Sequence, residues 1–223
     1  MEIKKRLAVI EGLDGSGKST QFEMCSKKLA DNGVNIKAIS FPDYEQPSSV
    51  LVRMYLDGKL SSSADDVNGY AAASFYAVDR YASFKQFWEK EYLSGHFILA
   101  ARYVTSNLIY QMSKLEKSKW GSFADWLYDY EYDKLGLPRP DKVIFLDMPL
   151  EVSQKLLSDR YHGDASKKDL HEANLEYMKR CRDAAYFSVD RFGWVTIKCA
   201  ENGEPLPIDN INEKLMCKLN ELI

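Results

Sequence analysis

The sequence has no long hydrophobic run, since its apolar stretches extend over only a few residues each. A helix that crosses a bilayer needs roughly 20 consecutive apolar residues, so we expect no membrane-spanning segment. The N-terminal stretch MEIKKRLAVIEGLDG has basic residues before a short apolar run, but no Ala-x-Ala cleavage site follows it. This pattern argues against a signal peptide.

The sequence also lacks a large excess of charge of either sign, and it lacks clustered cysteines. The 223 residues carry 30 Lys and Arg against 33 Asp and Glu, so no overall positive field indicates nucleic acid as a partner. The four cysteines show no CxxC or other metal-binding spacing. We expect reduced, mostly buried thiols and a cytoplasmic location. The cysteines are Cys25, Cys181, Cys199 and Cys217.

The chain has no internal repeat and no long linker rich in Gly, Ser or Pro, which favours a single domain over residues 1–223. Short apolar runs typical of buried strands alternate with longer helical patterns. The predicted strands cover 6–12, 35–42, 96–101, 142–147 and 194–199. The predicted helices cover 18–32, 67–93, 104–117, 121–135, 149–159, 169–191 and 208–222. This alternation predicts an α/β fold, with a five-stranded parallel sheet flanked by helices.

One motif indicates phosphate chemistry directly. GLDGSGKS, from Gly12 to Ser19, matches the pattern G-x-x-x-x-G-K-[ST] between a predicted strand and a predicted helix. Glycines let backbone N–H groups approach phosphate oxygens, the lysine neutralises them, and the serine hydroxyl is a Mg²⁺ ligand. The helix that follows points its positive end at the anion. We expect a nucleotide's phosphates on Gly12, Leu13, Asp14, Gly15, Ser16, Gly17, Lys18, Ser19 and Thr20, with Ser19 as the metal ligand.

The phosphate loop alone does not choose between a kinase, a GTPase and a motor. No N-K-x-D guanine motif is present, and the chain is short for a motor ATPase. A small phosphotransferase is therefore the favoured class. Two polar segments, FPDYEQPSSV (41–50) and DRYHGDASKKD (159–169), are predicted to be loops, either functional or simply solvated.

Several stretches together resemble the thymidylate kinase family, the P-loop nucleoside monophosphate kinases that phosphorylate dTMP with ATP and Mg²⁺. In chain order they are IEGLDGSGKST, FPDY, FYAVDR, ARYVTSNLIYQ and VIFLDMPLEVSQK, the last followed by the charged loop. The resemblance covers nearly the whole chain. It implies a P-loop kinase fold with a small mobile lid at about 158–170.

The resemblance assigns the nucleoside pocket of dTMP. It places Asp14 at the deoxyribose 3′-hydroxyl or at a nearby Mg²⁺ water. Tyr76 stacks on thymine, with Phe75 as its rival, because the spacing from Tyr76 to Arg80 reproduces the family's aromatic-x-x-x-Arg motif. Arg80 reaches a thymine carbonyl in this assignment. Asn107 reads the base edge, since an amide is both donor and acceptor.

Two further residues complete that pocket. The resemblance implies that Tyr110 and Gln111 close the sugar and base site. A tyrosine near the 2′-carbon fills the space that a ribose hydroxyl needs, which favours deoxynucleotides.

The phosphate groups need cations. Arg102 is the predicted clamp for the monophosphate, because a guanidinium binds phosphate through two parallel hydrogen bonds. Arg53 is the second candidate, against a solvated helix position. Tyr44 stands where some relatives have arginine and can donate its hydroxyl.

Phosphoryl transfer also spreads negative charge in its transition state, and the phosphate loop contains no arginine to balance it. The resemblance then implies that the lid supplies the charge. Arg160 is the predicted residue, with Lys167 and Lys168 as lesser candidates. We therefore expect Lys18, Arg102, Arg160 and Asp14 to carry catalysis.

One position departs from the family pattern, because an aspartate usually precedes the arginine and this chain has Ala101 before Arg102. That carboxylate normally helps to organise Mg²⁺ and its waters. Three explanations are open. The alanine is an introduced inactivating change, or the natural enzyme is slow, or another acid takes over the role of the missing carboxylate, with Glu11 and Asp147 as candidates. The resulting expectation is impaired turnover with retained binding.

Other functions stay open on the sequence. A kinase for another nucleotide or deoxynucleoside is possible, as is a nucleotide-binding regulatory module without catalysis, which Ala101 favours. The long helix over 67–93 has apolar residues over much of its surface. Family members pair such helices, so we expect a homodimer rather than core packing alone.

Overall fold

The fold is built on one parallel sheet, described here from a computed structural model that covers residues 4–61, 66–160 and 174–223, without the side chain of Arg160. The sheet has five strands in the order β2-β3-β1-β4-β5. The strands are β1 (Arg6–Gly12), β2 (Ile36–Ser40), β3 (Phe97–Ala101), β4 (Lys142–Asp147) and β5 (Val195–Lys198). The α/β prediction is confirmed, and each predicted strand is present with ends that differ by at most two residues.

Apolar residues of the central strand face both ways, which is why its sequence lacks alternation. Leu7 and Val9 belong to one buried cluster, and Ala8 and Ile10 belong to the other. Each cluster is completed by helices, so the sheet is covered on both faces. The described helices are α1 (Lys18–Asp31), α2 (Val50–Leu56), α3 (Gly69–Ser83), α4 (Glu89–Leu93), α5 (Thr105–Tyr110), α6 (Trp120–Tyr128), α7 (Leu150–Arg160), α8 (Leu175–Phe192) and α9 (Ile208–Asn220).

Several helix boundaries differ from the prediction. The helix expected over 67–93 contains a π-helical segment, Phe84–Trp88, between α3 and α4, and α6 continues into a second one, Asp129–Lys134. The helix expected over 104–117 is shorter, because the hydroxyls of Ser113 and Tyr177 both donate to the carbonyl of Tyr110 and end α5 there.

The structure also differs from the prediction at α2, at the start of α8 and after β5. Helix α2 was not predicted as a separate element. Helix α8 begins at Leu175, where the Asn174 side chain accepts the backbone N–H of Tyr177 and caps the helix, and residues 169–173 of its predicted range lie outside the described residues. A short hairpin, β6 (Ala200–Glu201) with β7 (Glu204–Pro205), follows β5.

The carboxyl ends of the strands meet at one edge of the sheet. Ala101 lies opposite both Ile10 of β1 and Ser40 of β2 in the strand register. The phosphate loop after β1 and the segment that begins at Arg102 therefore leave the sheet side by side. In open α/β sheets, ligands bind at this edge.

Helices in the described ranges are all too short or too polar to cross a membrane. Of the cysteines, which are all free, Cys217 is exposed and the other three are buried.

Candidate active site

The phosphate loop links β1 to α1 and contains glycines whose backbone conformation or close neighbours exclude a side chain. Gly15 and Gly17 have left-handed backbones, with φ of 77° and 82°. A Cβ at Gly12 would lie 2.5 Å from the Ser16 hydroxyl oxygen, and one at Gly15 would lie 2.5 Å from a backbone carbonyl oxygen of α7. The glycines of the motif are thus required by the local geometry, as the sequence predicts.

Polar groups of this loop are held in place for an anion. Lys18 is buried, and its ammonium donates to the Leu13 carbonyl at 2.9 Å while lying 4.0 Å from the Asp14 carboxylate. The Ser16 hydroxyl is buried without a hydrogen-bond partner among the described residues. A bound phosphate would supply the acceptor that this hydroxyl lacks, so the loop fits the group that its motif predicts.

A cleft of about 760 Å³ opens from the phosphate loop. Its polar wall is the loop with the end of β3, and its apolar wall comes from α7, α9 and the segment before α9. The apolar wall consists of Met148, Leu156, Leu157, Pro205, Leu206, Pro207, Ile208 and Ile211. A polar end beside an apolar wall suits a nucleoside triphosphate, with phosphates on the loop and the base between aliphatic side chains.

A second cavity lies on the other side of the same loop. All the predicted nucleoside-binding residues except Arg53 line it, together with the Phe-Pro segment and α2. Its lining comprises Asp14, Phe41, Pro42, Tyr44, Leu56, Tyr76, Arg80, Arg102, Ser106, Asn107, Tyr110 and Gln111. The sequence-predicted residues therefore converge on one site.

Asp14 and Arg102 line both the cleft and the cavity. Arg102 has a left-handed backbone with φ of 63°, and its N–H donates to the Ile10 carbonyl at 3.1 Å. Its guanidinium forms an ion pair with the Asp14 carboxylate and lies 5.0 Å from the centre of the Tyr110 ring. An arginine and a carboxylate are thus fixed at the junction where two nucleotides would meet.

Tyr110 completes this junction. Its hydroxyl donates to Asp14 at 3.1 Å, and burial raises the pKa of Tyr110 well above its ordinary value. The phenol is therefore neutral near pH 7 and keeps the proton that it donates.

The aromatic side of the cavity favours one of the two stacking candidates. Tyr76 lines the cavity, and its ring meets the Tyr55 ring edge-on at 6.5 Å. Phe75 is not among the residues that line it. Tyr44, with 51% of its surface exposed, lies at the cavity mouth.

The two candidate base readers share an internal partner, Glu131, that no sequence pattern indicated. Arg80 is 1% exposed, and its Nε and Nη2 donate to the two carboxylate oxygens of Glu131 at 2.7 and 2.6 Å. Asn107 donates its amide N–H groups to Glu131 at 3.0 Å and to the Ala73 carbonyl at 3.2 Å. Both amide hydrogens of Asn107 are thus used within the protein, and its carbonyl oxygen is available to accept a hydrogen bond from a ligand.

Gln111 has a carbonyl oxygen that is completely buried and has no hydrogen-bond partner among the described residues. The residue is 1% exposed and lines the cavity. An unpaired buried acceptor beside a cavity suits a ligand N–H or O–H group.

Arg53 holds the Phe-Pro loop rather than lining the cavity. Its Nη1 donates to the carbonyls of Tyr44 and Gln46 at 2.7 and 3.2 Å and contacts the Ser49 hydroxyl at 2.6 Å.

A buried acid, Asp79, holds the same loop by accepting from the Asp43 N–H and the Ser48 hydroxyl. The sequence signal for Asp79 was its charged position inside FYAVDR, a motif from which the sequence predicts roles for the aromatic residue and for Arg80 but not for Asp79.

Ala101 borders the nucleotide cleft, and neither predicted substitute acid does. Glu11 is completely buried and accepts hydrogen bonds from the N–H of Tyr103 and from the hydroxyls of Thr105 and Ser106. Burial raises the pKa of Glu11. Asp147 accepts from the Tyr186 hydroxyl at 2.8 Å. Within the described part of the chain, Asp14 is the acidic residue that lines the cleft.

The described residues include only part of the predicted metal site and of the predicted lid. Ser19 lines the cleft beside the phosphate loop, and the described residues contain no group of three or more His, Cys, Asp or Glu that could hold a metal. Arg160 ends α7, and nothing is described of its side chain. Lys167 and Lys168 lie outside the described residues, as does most of the predicted lid.

Comparison with known proteins agrees with this geometry. The family model described as thymidylate kinase matches residues 10–205. A thymidylate kinase of Mycobacterium tuberculosis is 30% identical over 195 residues, which cover 84% of this chain and 87% of the relative. One of Caenorhabditis elegans is 28% identical, with 81% and 80% covered.

A solved structure of a thymidylate kinase from Candida albicans superimposes with a TM-score of 0.72 at 23% identity. The match covers 100% of this chain and 95% of that one, which supports the P-loop kinase fold. Because the family model and the mycobacterial relative both cover most of the sequence, the chain belongs to the thymidylate kinase family.

Proposed function

We propose that the chain phosphorylates dTMP to dTDP, with ATP as the phosphoryl donor and Mg²⁺ as the metal. The observation that carries this proposal is the junction of Asp14 and Arg102, which line the nucleotide cleft and the nucleoside cavity together. A donor in the cleft and an acceptor in the cavity would bring their phosphates together beside this pair of side chains. Positioning of this kind provides much of the rate in phosphoryl transfer.

On the donor side, the loop N–H groups and Lys18 bind the phosphates of ATP. The apolar wall of the cleft, which includes Pro207 and Ile208, covers the adenine. The Ser19 hydroxyl and the Asp14 carboxylate, which both line the cleft, would hold Mg²⁺, and the metal would supply neutralisation of the phosphate charge.

On the acceptor side, Arg102 binds the monophosphate and Tyr76 stacks on the base. Arg80 donates to a base carbonyl, the carbonyl oxygen of Asn107 accepts the single ring N–H of thymine, and Gln111 closes the sugar and base pocket. Tyr110 lies against the sugar and disfavours a 2′-hydroxyl. Arg160 balances the transition-state charge in this proposal, with Lys167 and Lys168 as lesser candidates. Closure of the predicted lid, which lies mostly outside the described residues, would exclude water.

A panel of monophosphates tests the function. ADP release is followed with ATP and Mg²⁺ against dTMP, dUMP, dCMP and AMP, with the ribonucleotide UMP as the test of the deoxy preference. We expect the highest kcat/KM with dTMP. Turnover that is highest with another monophosphate reassigns the substrate, and calorimetric binding without turnover of any of them indicates a regulatory module.

We also propose a homodimer formed through α3. Three large apolar side chains are exposed on this helix, Tyr70, Val78 and Tyr81, at 37%, 48% and 40% of their surfaces. Their spacing of eight and three residues places them on one helix face. We further propose that the protein is cytoplasmic and has neither membrane nor nucleic-acid partners.

A further inference from the structure

Glu131 lies behind the nucleoside cavity rather than in it. It belongs to the π-helical segment after α6, is completely buried, and is not among the residues that line the cavity. Both of its carboxylate oxygens are used, since Oε2 accepts from Arg80, and Oε1 accepts from Arg80 and Asn107. A buried carboxylate is costly unless it is paired, so this residue type needs an explanation at this place.

The first consequence concerns Arg80. Two of its three nitrogens are fixed by Glu131, which sets the plane of the guanidinium and compensates its charge. Arg80 still lines the cavity, so it presents a fixed donor whose charge is already balanced. Such a group suits a neutral carbonyl oxygen better than a phosphate, which an uncompensated arginine would attract.

The second consequence concerns Asn107. A carboxylate accepts hydrogen bonds and cannot donate them, so the amide nitrogen of Asn107 must face Glu131. Its carbonyl oxygen has no hydrogen-bond partner among the described residues, and Asn107 lines the cavity. Asn107 is thereby locked as an acceptor.

We propose that Glu131 is a positioning residue that sets the base specificity of the cavity. By fixing Arg80 as donor and Asn107 as acceptor, it selects a base edge on which a carbonyl lies beside a ring N–H, as in thymine. Cytosine presents the opposite pattern, an amino donor beside a ring nitrogen acceptor. This inference rests on the proposed function, because it assumes that the base of the acceptor nucleotide occupies the cavity.

Glu131→Gln tests the idea, because glutamine has nearly the same shape but no charge and one donating nitrogen. That donor lets the Asn107 amide turn over, so that its N–H can face the unprotonated ring nitrogen of cytosine and one of the two mismatches is removed. We expect kcat/KM for dTMP divided by kcat/KM for dCMP to fall by about tenfold or more, the effect of exchanging one buried donor for an acceptor. KM for dTMP rises, whereas KM for ATP and kcat change little, since the phosphate loop is untouched.

Asp133→Asn is the matched control, because Asp133 lies on the same segment but is exposed and pairs with Arg139. It should leave the selectivity ratio unchanged. A folded Glu131→Gln protein with the wild-type ratio overturns the proposal, as does a variant that loses dTMP and dCMP activity in equal proportion.

A second variant covers the possibility that Glu131→Gln does not fold. Glu131→Asp keeps the charge but withdraws the carboxylate by one methylene, so a smaller fall in the same ratio is expected. Combining either variant with Asn107→Ala should cost less than the sum of the two single losses, because Glu131 acts in part through Asn107. Additive losses contradict the positioning role.

Failure of the proposed function is separable from failure of this inference. Calorimetric Kd values for dTMP and dCMP read base selection without turnover. If the wild type binds dTMP better than dCMP and Glu131→Gln removes that difference, the inference holds even where no phosphoryl transfer is seen. If the wild type binds both equally, the inference fails.

Discussion

Arg102 and Asp14 form an ion pair at the boundary between the nucleotide cleft and the nucleoside cavity, and each lines both. The pair depends on two backbone features, the phosphate loop that carries Asp14 and the left-handed conformation of Arg102. Asp14 also contacts the Tyr110 hydroxyl and lies within 4.0 Å of the Lys18 ammonium. The charges expected to meet both phosphate groups are thus organised as one unit.

Arg102→Lys should weaken acceptor binding while leaving the donor site intact. Lysine keeps the charge but loses the two parallel N–H groups that bind phosphate. We expect KM for dTMP to rise by about tenfold to a hundredfold, with KM for ATP nearly unchanged, in steady-state assays. Arg53→Lys is the control, because Arg53 contacts loop carbonyls and does not line the cavity. An equal rise in KM for dTMP in both variants would indicate that Arg53 also binds the monophosphate.

Ala101→Asp should accelerate catalysis. The position borders the nucleotide cleft at the end of β3, where a carboxylate can organise Mg²⁺ and its waters. We expect kcat to rise by about 10² to 10³, the effect of one charge-organising group, with little change in the Kd of either nucleotide. Single-turnover kinetics measure the chemical step directly.

Ser40→Asp is the control for that gain, because Ser40 pairs with Ala101 in the sheet register and lines the same cleft. A carboxylate there enters the cleft from the neighbouring strand. Similar acceleration by both variants would indicate a general effect of negative charge, and no acceleration by Ala101→Asp would show that the alanine does not limit the rate.

Gln111→Met should separate binding from stability. The Gln111 carbonyl oxygen is buried without a partner among the described residues, so removing it relieves a desolvation cost. We expect unchanged or slightly higher thermal stability and a KM for dTMP higher by about fivefold or more. Gln21→Met is the contrast, because Gln21 is buried but satisfied by the Ile208 carbonyl and the Asn212 amide. It should lose about 1–3 kcal/mol of unfolding free energy.

The buried Glu11 should make stability depend on pH. Burial raises its pKa above the ordinary value of 4.5, so the folded state holds a proton that the unfolded state has released. The unfolding free energy of the wild type relative to Glu11→Gln should therefore fall as pH rises above about 4.5, until the folded-state pKa is passed. Denaturant titrations from pH 4 to pH 8 measure this difference, and a difference that grows with pH contradicts it.

Val78→Glu should disrupt the proposed dimer. The side chain is 48% exposed on α3, so a carboxylate there is harmless to a monomer but unpaired at an apolar interface. We expect sedimentation at monomer mass, with Lys85→Glu on the neighbouring segment as a charge control. A wild type that sediments as a monomer excludes the dimer altogether.

Local physics in the sequence determined the phosphate loop and the sheet. The motif predicts the conformation of Gly15 and Gly17, because a left-handed backbone and close approach to an anion both favour glycine. The strands of the sheet are read from apolar runs because both of its faces are covered. The expectation that Tyr76, Arg102 and Tyr110 belong to one site came from the resemblance to a family, because the motifs that carry these residues occur in that family's order.

Only the tertiary structure decided how those residues are held. Glu131 lies 51 residues from Arg80 and 24 from Asn107, and no local pattern marks a carboxylate that pairs across such separations. The tertiary structure also showed Arg53 bound to loop carbonyls, Glu11 enclosed by hydroxyls, and Ala101 bordering the cleft. Side-chain partners depend on how distant segments pack, whereas glycine loops and buried strands depend on backbone sterics and hydrophobicity that each segment carries itself.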